Sequence, residues 1–319
     1  MKTVNWNRTF TEAKDPRKTF GEALTKVGST IPEVIALSTD SSSGSGMGPF
    51  AKQFPERHYE FGIMEQGAIG YAAGLASTGL IPFYAAIAPF VTARPYEMFR
   101  NDLGYMQQNV KVVGRCAGLT YSHLGPTHHS LDDIGIIRTI PGVTILNPGD
   151  PVSIHKAVQA AAEFKGPAYI RIGSPPMPGI YNEDVPFEAG KGNVLMDGTD
   201  VTIIATGTML ANAVKAAMTL ESEGLSVCLI DMHTVKPLDA ELVLEAAERT
   251  GRIVTVEEHY VTGGLGSAVA ELCSARRPTP VHMIGVQDQY ASNGPYDELL
   301  GLYGLQAGQI ADTVRNLLK

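Results

Sequence analysis

His58-Tyr59-Glu60-Phe61-Gly62-Ile63-Met64-Glu65-Gln66-Gly67-Ala68-Ile69-Gly70-Tyr71-Ala72-Ala73-Gly74 is the stretch around which the chain is organised. An extended run with two aromatic residues meets Gly62. Glu65 then opens a segment of Gly and Ala that reads as a tightly packed helix. Small residues let a helix sit close to a neighbour, so this segment is expected in the core. A carboxylate at the mouth of such a helix costs free energy to bury unless something pairs with it. For an isolated Glu, the ordinary role is a helix-start carboxylate favoured by the N-terminal dipole.

On either side, short apolar runs alternate with helical spacing. Phe20, Ala23, Leu24 and Val27 share one helix face. Val34–Ser38 reads as a buried strand, and Thr39-Asp40-Ser41-Ser42-Ser43-Gly44-Ser45-Gly46 is the loop at its carboxyl end, where open α/β sheets bind ligands. Further strands are expected at 81–87, 110–115, 143–146 and 168–172. Helices are expected over 96–105 and 152–163, the latter capped by the Asn147-Pro148-Gly149-Asp150-Pro151 turn. A Pro-rich linker over 176–193 leads to a second alternation. Its strands are at 201–205, 226–231, 253–256 and 281–284, its helices at 210–221, 240–247 and 266–272, with a terminal helix over 305–318. Strands alternating with helices imply mostly parallel sheets covered on both faces. The fold class is therefore α/β, with two three-layer domains. Residues 1–16 are expected to form an arm, packed on a partner.

Composition narrows the function. The 319 residues carry a net charge of -8 and no Lys/Arg stripe, which argues against nucleic acid. No apolar run reaches the roughly 18 residues of a membrane-spanning helix. The N-terminal stretch lacks the apolar core of a signal peptide. Cys116, Cys228 and Cys273 lie far apart in apolar surroundings and read as buried thiols of a cytoplasmic protein.

The second informative stretch is Ser122-His123-Leu124-Gly125-Pro126-Thr127-His128-His129. Three His in seven residues suggest a metal site, but the spacing is irregular, and Asp132-Asp133 are better placed to cap the next helix. No metal site is expected in this chain. Gly263-Gly264-Leu265-Gly266 superficially suggests a dinucleotide loop, yet no full Gly-x-Gly-x-x-Gly is present.

Taken together, these stretches resemble the thiamine-diphosphate-dependent transketolases. The Gly62-Ile63-Met64-Glu65-Gln66 wording resembles the segment whose Glu sits against N1′ of the cofactor's aminopyrimidine. A buried acid suits that task because it must share a proton with a weak base. Phe90, within Ile87-Ala88-Pro89-Phe90-Val91-Thr92-Ala93-Arg94-Pro95, is similar to the aromatic residue that stacks on that ring. Ile87 becomes a wall of the pocket, and Asp40 a further cofactor contact from the loop after the first strand. The Gly125-Pro126-Thr127-His128 loop is similar to one whose His hydrogen-bonds the donor sugar, which assigns His128 to catalysis. His123 is the candidate for the family's upstream His. Arg17 and Arg171 resemble the arginines that bind the sugar phosphate, a task suited to a planar fork of donors. Ser43 or Ser45 adds a hydroxyl. Leu124 departs from the family, which commonly has Asp there, and this puts the ordinary ketose donor in doubt.

The resemblance runs from Arg17 onward and implies a pyrimidine-binding domain at 17–175 and the family's C-terminal domain at 194–319. The Gly-Asp-Gly motif that holds the diphosphate through Mg²⁺ or a similar ion is missing. A split enzyme is therefore implied: an N-terminal subunit brings that motif, and two copies of each chain assemble. The alternatives are a deoxyxylulose-phosphate-synthase-like enzyme, a 2-oxoacid dehydrogenase β subunit and an inactive regulatory homologue.

Overall fold

The computed structural model describes all 319 residues. The N-terminal half is built on a seven-stranded sheet in the order Thr234–Lys236, Thr144–Leu146, Ala168–Arg171, Lys111–Arg115, Ile81–Ile87, Val34–Ser38, His58–Glu60. All neighbours are parallel except the first pair. Side chains alternate across the central strands. Val34 and Ala36, with Phe83 and Ala85, pack against Phe20, Leu24 and Ala157, from helices Pro16–Thr30 and Pro151–Glu163. Ile35 and Leu37, with Tyr84 and Ala86, pack against Ala68, Ala72, Leu103 and Ile137 on the other face. This period of two forces both faces to be covered, which yields three layers.

The C-terminal half holds a five-stranded sheet in the order Val281–Val286, Ile253–Tyr260, Val201–Ala205, Val227–Asp231, Asn193–Met196. Only its last strand is antiparallel. The three cysteines are free and buried. No helix is long and apolar enough to cross a membrane.

Several expectations are corrected. The N-terminal arm packs on its own chain: Trp6–Lys14 is a strand paired with Met177–Tyr181, inside the expected linker. Trp6 Nε1 donates to Leu195 O at 2.7 Å. Residues 99–105 are wound as a π-helix. The terminal helix forms as expected, over Ala307–Leu317, and is preceded by a helix that was not expected, Tyr296–Leu302. Strand Thr234–Lys236 from the second half closes the edge of the first sheet, so the two halves share backbone hydrogen bonds. Helix Glu65–Ser77 is core on one side only. Ala68, Ile69, Ala72, Ala73 and Ala76 are buried, whereas Gly70, Gly74 and Tyr71 face outward.

Candidate functional site

The site residues gather at the carboxyl ends of the parallel strands. Gly62, with φ +68°, turns the chain out of His58–Glu60 so that Glu65 becomes the first residue of its helix. Glu65 is only 4% exposed, and its Oε1 accepts from Arg94 Nη1 at 2.5 Å. The Arg94 guanidinium carbon lies 3.9 Å from the centroid of the half-buried Phe90 ring. Phe90 meets His128 edge-on, with centroids 5.3 Å apart, and Tyr121 flanks His128 at 5.6 Å. Thr127 Oγ1 is 2.9 Å from His128 Nδ1. Three stretches far apart in sequence thus meet in one row: Glu65, Phe90, His128. Arg94 and Tyr121, which sequence reasoning passed over, join them.

This row also tests the cofactor. A flat, donor-bearing guanidinium lies on Phe90 while giving a hydrogen bond to Glu65. An aminopyrimidine needs the same two contacts, a ring face and a carboxylate, and the residues present fit it. Ile87 caps the short helix that carries Phe90 and is half-buried. Asp40 is exposed, with φ +50°, and its amide donates to Glu60 Oε1 at 2.5 Å. Glu60 also accepts from Gly62 N at 3.3 Å, tying that loop to the Glu65 turn.

The cationic end is built differently from the expectation. Arg17 is the second residue of helix Pro16–Thr30, pairs with Asp15 at 2.8 Å and stays 40% exposed. Arg171, expected to bind the sugar phosphate, is 2% exposed; its Nε donates to Asp133 Oδ2 at 2.8 Å and its Nη2 to Ser130 O at 3.0 Å and Glu258 O at 2.9 Å, so these two nitrogens are engaged within the protein. A buried guanidinium engaged in this way is a structural brace. Asp133 accordingly does not cap its helix, and Asp132 makes no side-chain cap either.

Arg115, unremarked in the sequence because it sits within a strand-like run, is buried at the end of Lys111–Arg115. Its side chain has only Ser45 Oγ at 2.9 Å and Cys116 Sγ at 3.4 Å as partners, and no carboxylate. A buried cation without a counter-charge is expensive, so the place beside it favours an anion. Ser45 is committed to Arg115, whereas Ser43 is exposed.

The three loop His diverge: His123 and Leu124 are exposed, His128 meets Phe90, and His129 is buried. Glu257 of the second half accepts from Leu265 N and Gly266 N, each at 2.7 Å. The glycine turn there is therefore filled by the chain itself.

Residues 12–175 match the family model described as transketolase, pyrimidine binding domain, and residues 190–310 the one described as transketolase, C-terminal domain. The chain is 40% identical, over 95% of its length and 97% of the relative's, to an apulose-4-phosphate transketolase subunit of Phocaeicola vulgatus. It is 38% identical to the 6-deoxy-6-sulfo-D-fructose transketolase subunit SqwH of Clostridium sp., over 92% of this chain and 91% of that one. A 1-deoxy-D-xylulose-5-phosphate synthase 2 of Geobacter sulfurreducens is 35% identical over 93% of this chain, which spans 48% of that enzyme. Among solved structures, one described as a split gene transketolase, inactive β4 tetramer, superposes with a TM-score of 0.87 at 40% identity, covering 96% of this chain and 99% of the other. The chain belongs to the transketolase family and carries that family's pyrimidine-binding and C-terminal domains.

Proposed function

We propose that this chain is one subunit of a cytoplasmic, thiamine-diphosphate-dependent split transketolase that moves a two-carbon ketol unit from a ketose phosphate to an aldose acceptor. The observation that carries this reading is the row Glu65–Arg94–Phe90–His128. Bound thiamine diphosphate supplies the nucleophilic carbon and the electron sink for breaking and making a carbon–carbon bond. Glu65 holds a proton against the pyrimidine ring, Phe90 offers its face, and Arg94 gives up both contacts. His128, beside Phe90, hydrogen-bonds the donor. Arg17 and Arg115 receive the far anionic group, with Ser43 at the rim and His123 as a further donor contact. The two subunit relatives are named for an apulose 4-phosphate and a sulfo-sugar, each with an anionic group.

An N-terminal subunit supplies the diphosphate site and its Mg²⁺ or similar ion, in an assembly of two copies of each chain. Three features support an incomplete site in this chain alone. Its motifs account for the pyrimidine end only, Ile63 is 74% and Tyr71 56% exposed around the Glu65 helix, and the solved relative is described as an inactive β4 tetramer.

The test is a donor panel on the reconstituted complex: xylulose 5-phosphate, fructose 6-phosphate, branched or modified ketose phosphates, and the unphosphorylated sugars. We expect the unphosphorylated sugars to be poor donors. Leu124→Asp should shift donor preference about tenfold or more, because an apolar wall tolerates a change that a hydroxyl-binding acid rejects. Turnover of pyruvate alone would overturn the assignment.

A further inference from the structure

The loop that carries His128 is fastened at both ends by the other domain. At its start, Leu119 N donates to Glu258 Oε1 at 2.5 Å. At its end, Arg171 Nη2 bridges Ser130 O and Glu258 O, and Tyr260 N donates to Leu131 O at 2.8 Å. Gly118 and Ser130 exchange two backbone hydrogen bonds, of 3.0 and 2.9 Å, which close the loop at its neck. Only glycine serves at 118. Its φ is +68°, and a Cβ there would lie 2.6 Å from the Glu258 carboxylate.

Glu258 is itself held in place from its own domain. It is 1% exposed, and its Oε2 accepts from Tyr296 Oη at 2.8 Å and from Thr208 Oγ1. With Leu119 N that makes three donors on one buried carboxylate, a fully satisfied network of the kind that fixes a single geometry. Arg171 is oriented by Asp133 Oδ2, which also accepts from Tyr169 Oη at 2.6 Å. At the tip, His128 rests against Phe90 and Tyr121, and the C-terminal domain adds one backbone bond, Gly294 N donating to Ser122 O at 3.3 Å.

We propose that the C-terminal domain positions the donor-binding loop, and that Glu258 and Arg171 are the positioning residues through which it does so. The proposal rests on His128 meeting the donor. It gives the C-terminal domain a role in substrate recognition, beyond covering the first domain. Glu65 and Phe90 belong to other segments, so cofactor handling should be separable from donor binding.

The experiment uses the chain assembled with its N-terminal partner subunit, as wild type, Glu258→Gln and the milder Tyr296→Phe. Misplacing a recognition group by about an ångström costs on the order of 10²-fold. For Glu258→Gln we expect KM for the donor to rise roughly tenfold to a hundredfold. Cofactor affinity, and deuterium exchange at C2 of the bound cofactor, should stay within about twofold. Tyr296→Phe should shift KM in the same direction by a smaller factor and remains folded if Glu258→Gln does not. Amide hydrogen exchange, read without any turnover, should quicken in 118–131 and stay unchanged in Glu65–Ser77. Unchanged loop exchange in both variants would overturn the proposal. So would a parallel fall of cofactor affinity, C2 exchange and kcat/KM, the mark of a general packing defect. If no donor is turned over by the wild type, the transketolase reading fails while the exchange result still decides the positioning role.

Discussion

The two domains offer the same topological opportunity and use it in opposite ways. Each has a parallel sheet with glycine-marked turns leading into helices at its carboxyl edge, and each places a Glu there. Glu65 in the first domain is paired with Arg94, a side chain that is itself 38% exposed. Glu257 in the second is fully buried against two backbone amides. A side-chain partner can be exchanged for a ligand. Backbone amides at a helix start cannot move aside, and a Cβ on Gly264 would collide with Glu257 Oε2. The first edge is open and the second is closed by its own carboxylate. Strand order supplies the place for a site, and what already occupies that place decides whether there is one.

The comparison breaks if the two carboxylates respond alike. Glu65→Gln should lower kcat by about 10³-fold or more, the upper part of the range for general acid–base groups, with assembly retained. Deuterium exchange at C2 of the bound cofactor would show the loss directly. Glu257→Gln should instead lower thermal stability and leave kcat per folded enzyme near wild type. Wild-type C2 exchange in Glu65→Gln would reduce that residue to a helix-start carboxylate.

A smaller effect sharpens the closed edge. Asp231, at the carboxyl end of strand Val227–Asp231, is pushed up to about 8 by burial, with Tyr181 Oη donating to it at 2.7 Å. The native state therefore holds a proton that the unfolded chain releases near pH 4. Stability from this group is present below that value and is lost as pH rises towards 8. Denaturant unfolding at pH 6 and pH 8.5 should differ by roughly 2 kcal/mol in favour of the lower pH, and Asp231→Asn should flatten the difference. An equal slope in the variant would remove Asp231 as its source.

The fold was largely legible because the buried strands are short β-branched runs bounded by Gly and Pro. What escaped are features set by distant partners. Thr234–Lys236 is three residues long and acquires meaning only by crossing to the first sheet. In the site, Glu65, Phe90 and His128 stood out by the wording around them, and the fold brings them together. Arg171 was singled out by its resemblance to a family arginine, and its pairing with Asp133, 38 residues earlier, is marked by nothing local. Arg115 was hidden inside an apolar run, and nothing local marks a buried cation that lacks a counter-charge. Arg94 was quoted within Ala93-Arg94-Pro95, yet its bridge from Glu65 to Phe90 needs three segments at once.

The central claim is that this chain carries half of a cofactor site. Calorimetric titration with thiamine diphosphate and Mg²⁺ tests it most directly, on the isolated chain and on the chain assembled with an N-terminal subunit bearing Gly-Asp-Gly. Binding energy is lost when one of two linked contacts is missing. The isolated chain should bind weakly or not at all, and the assembly tightly. Sub-micromolar binding by the isolated chain would contradict the account.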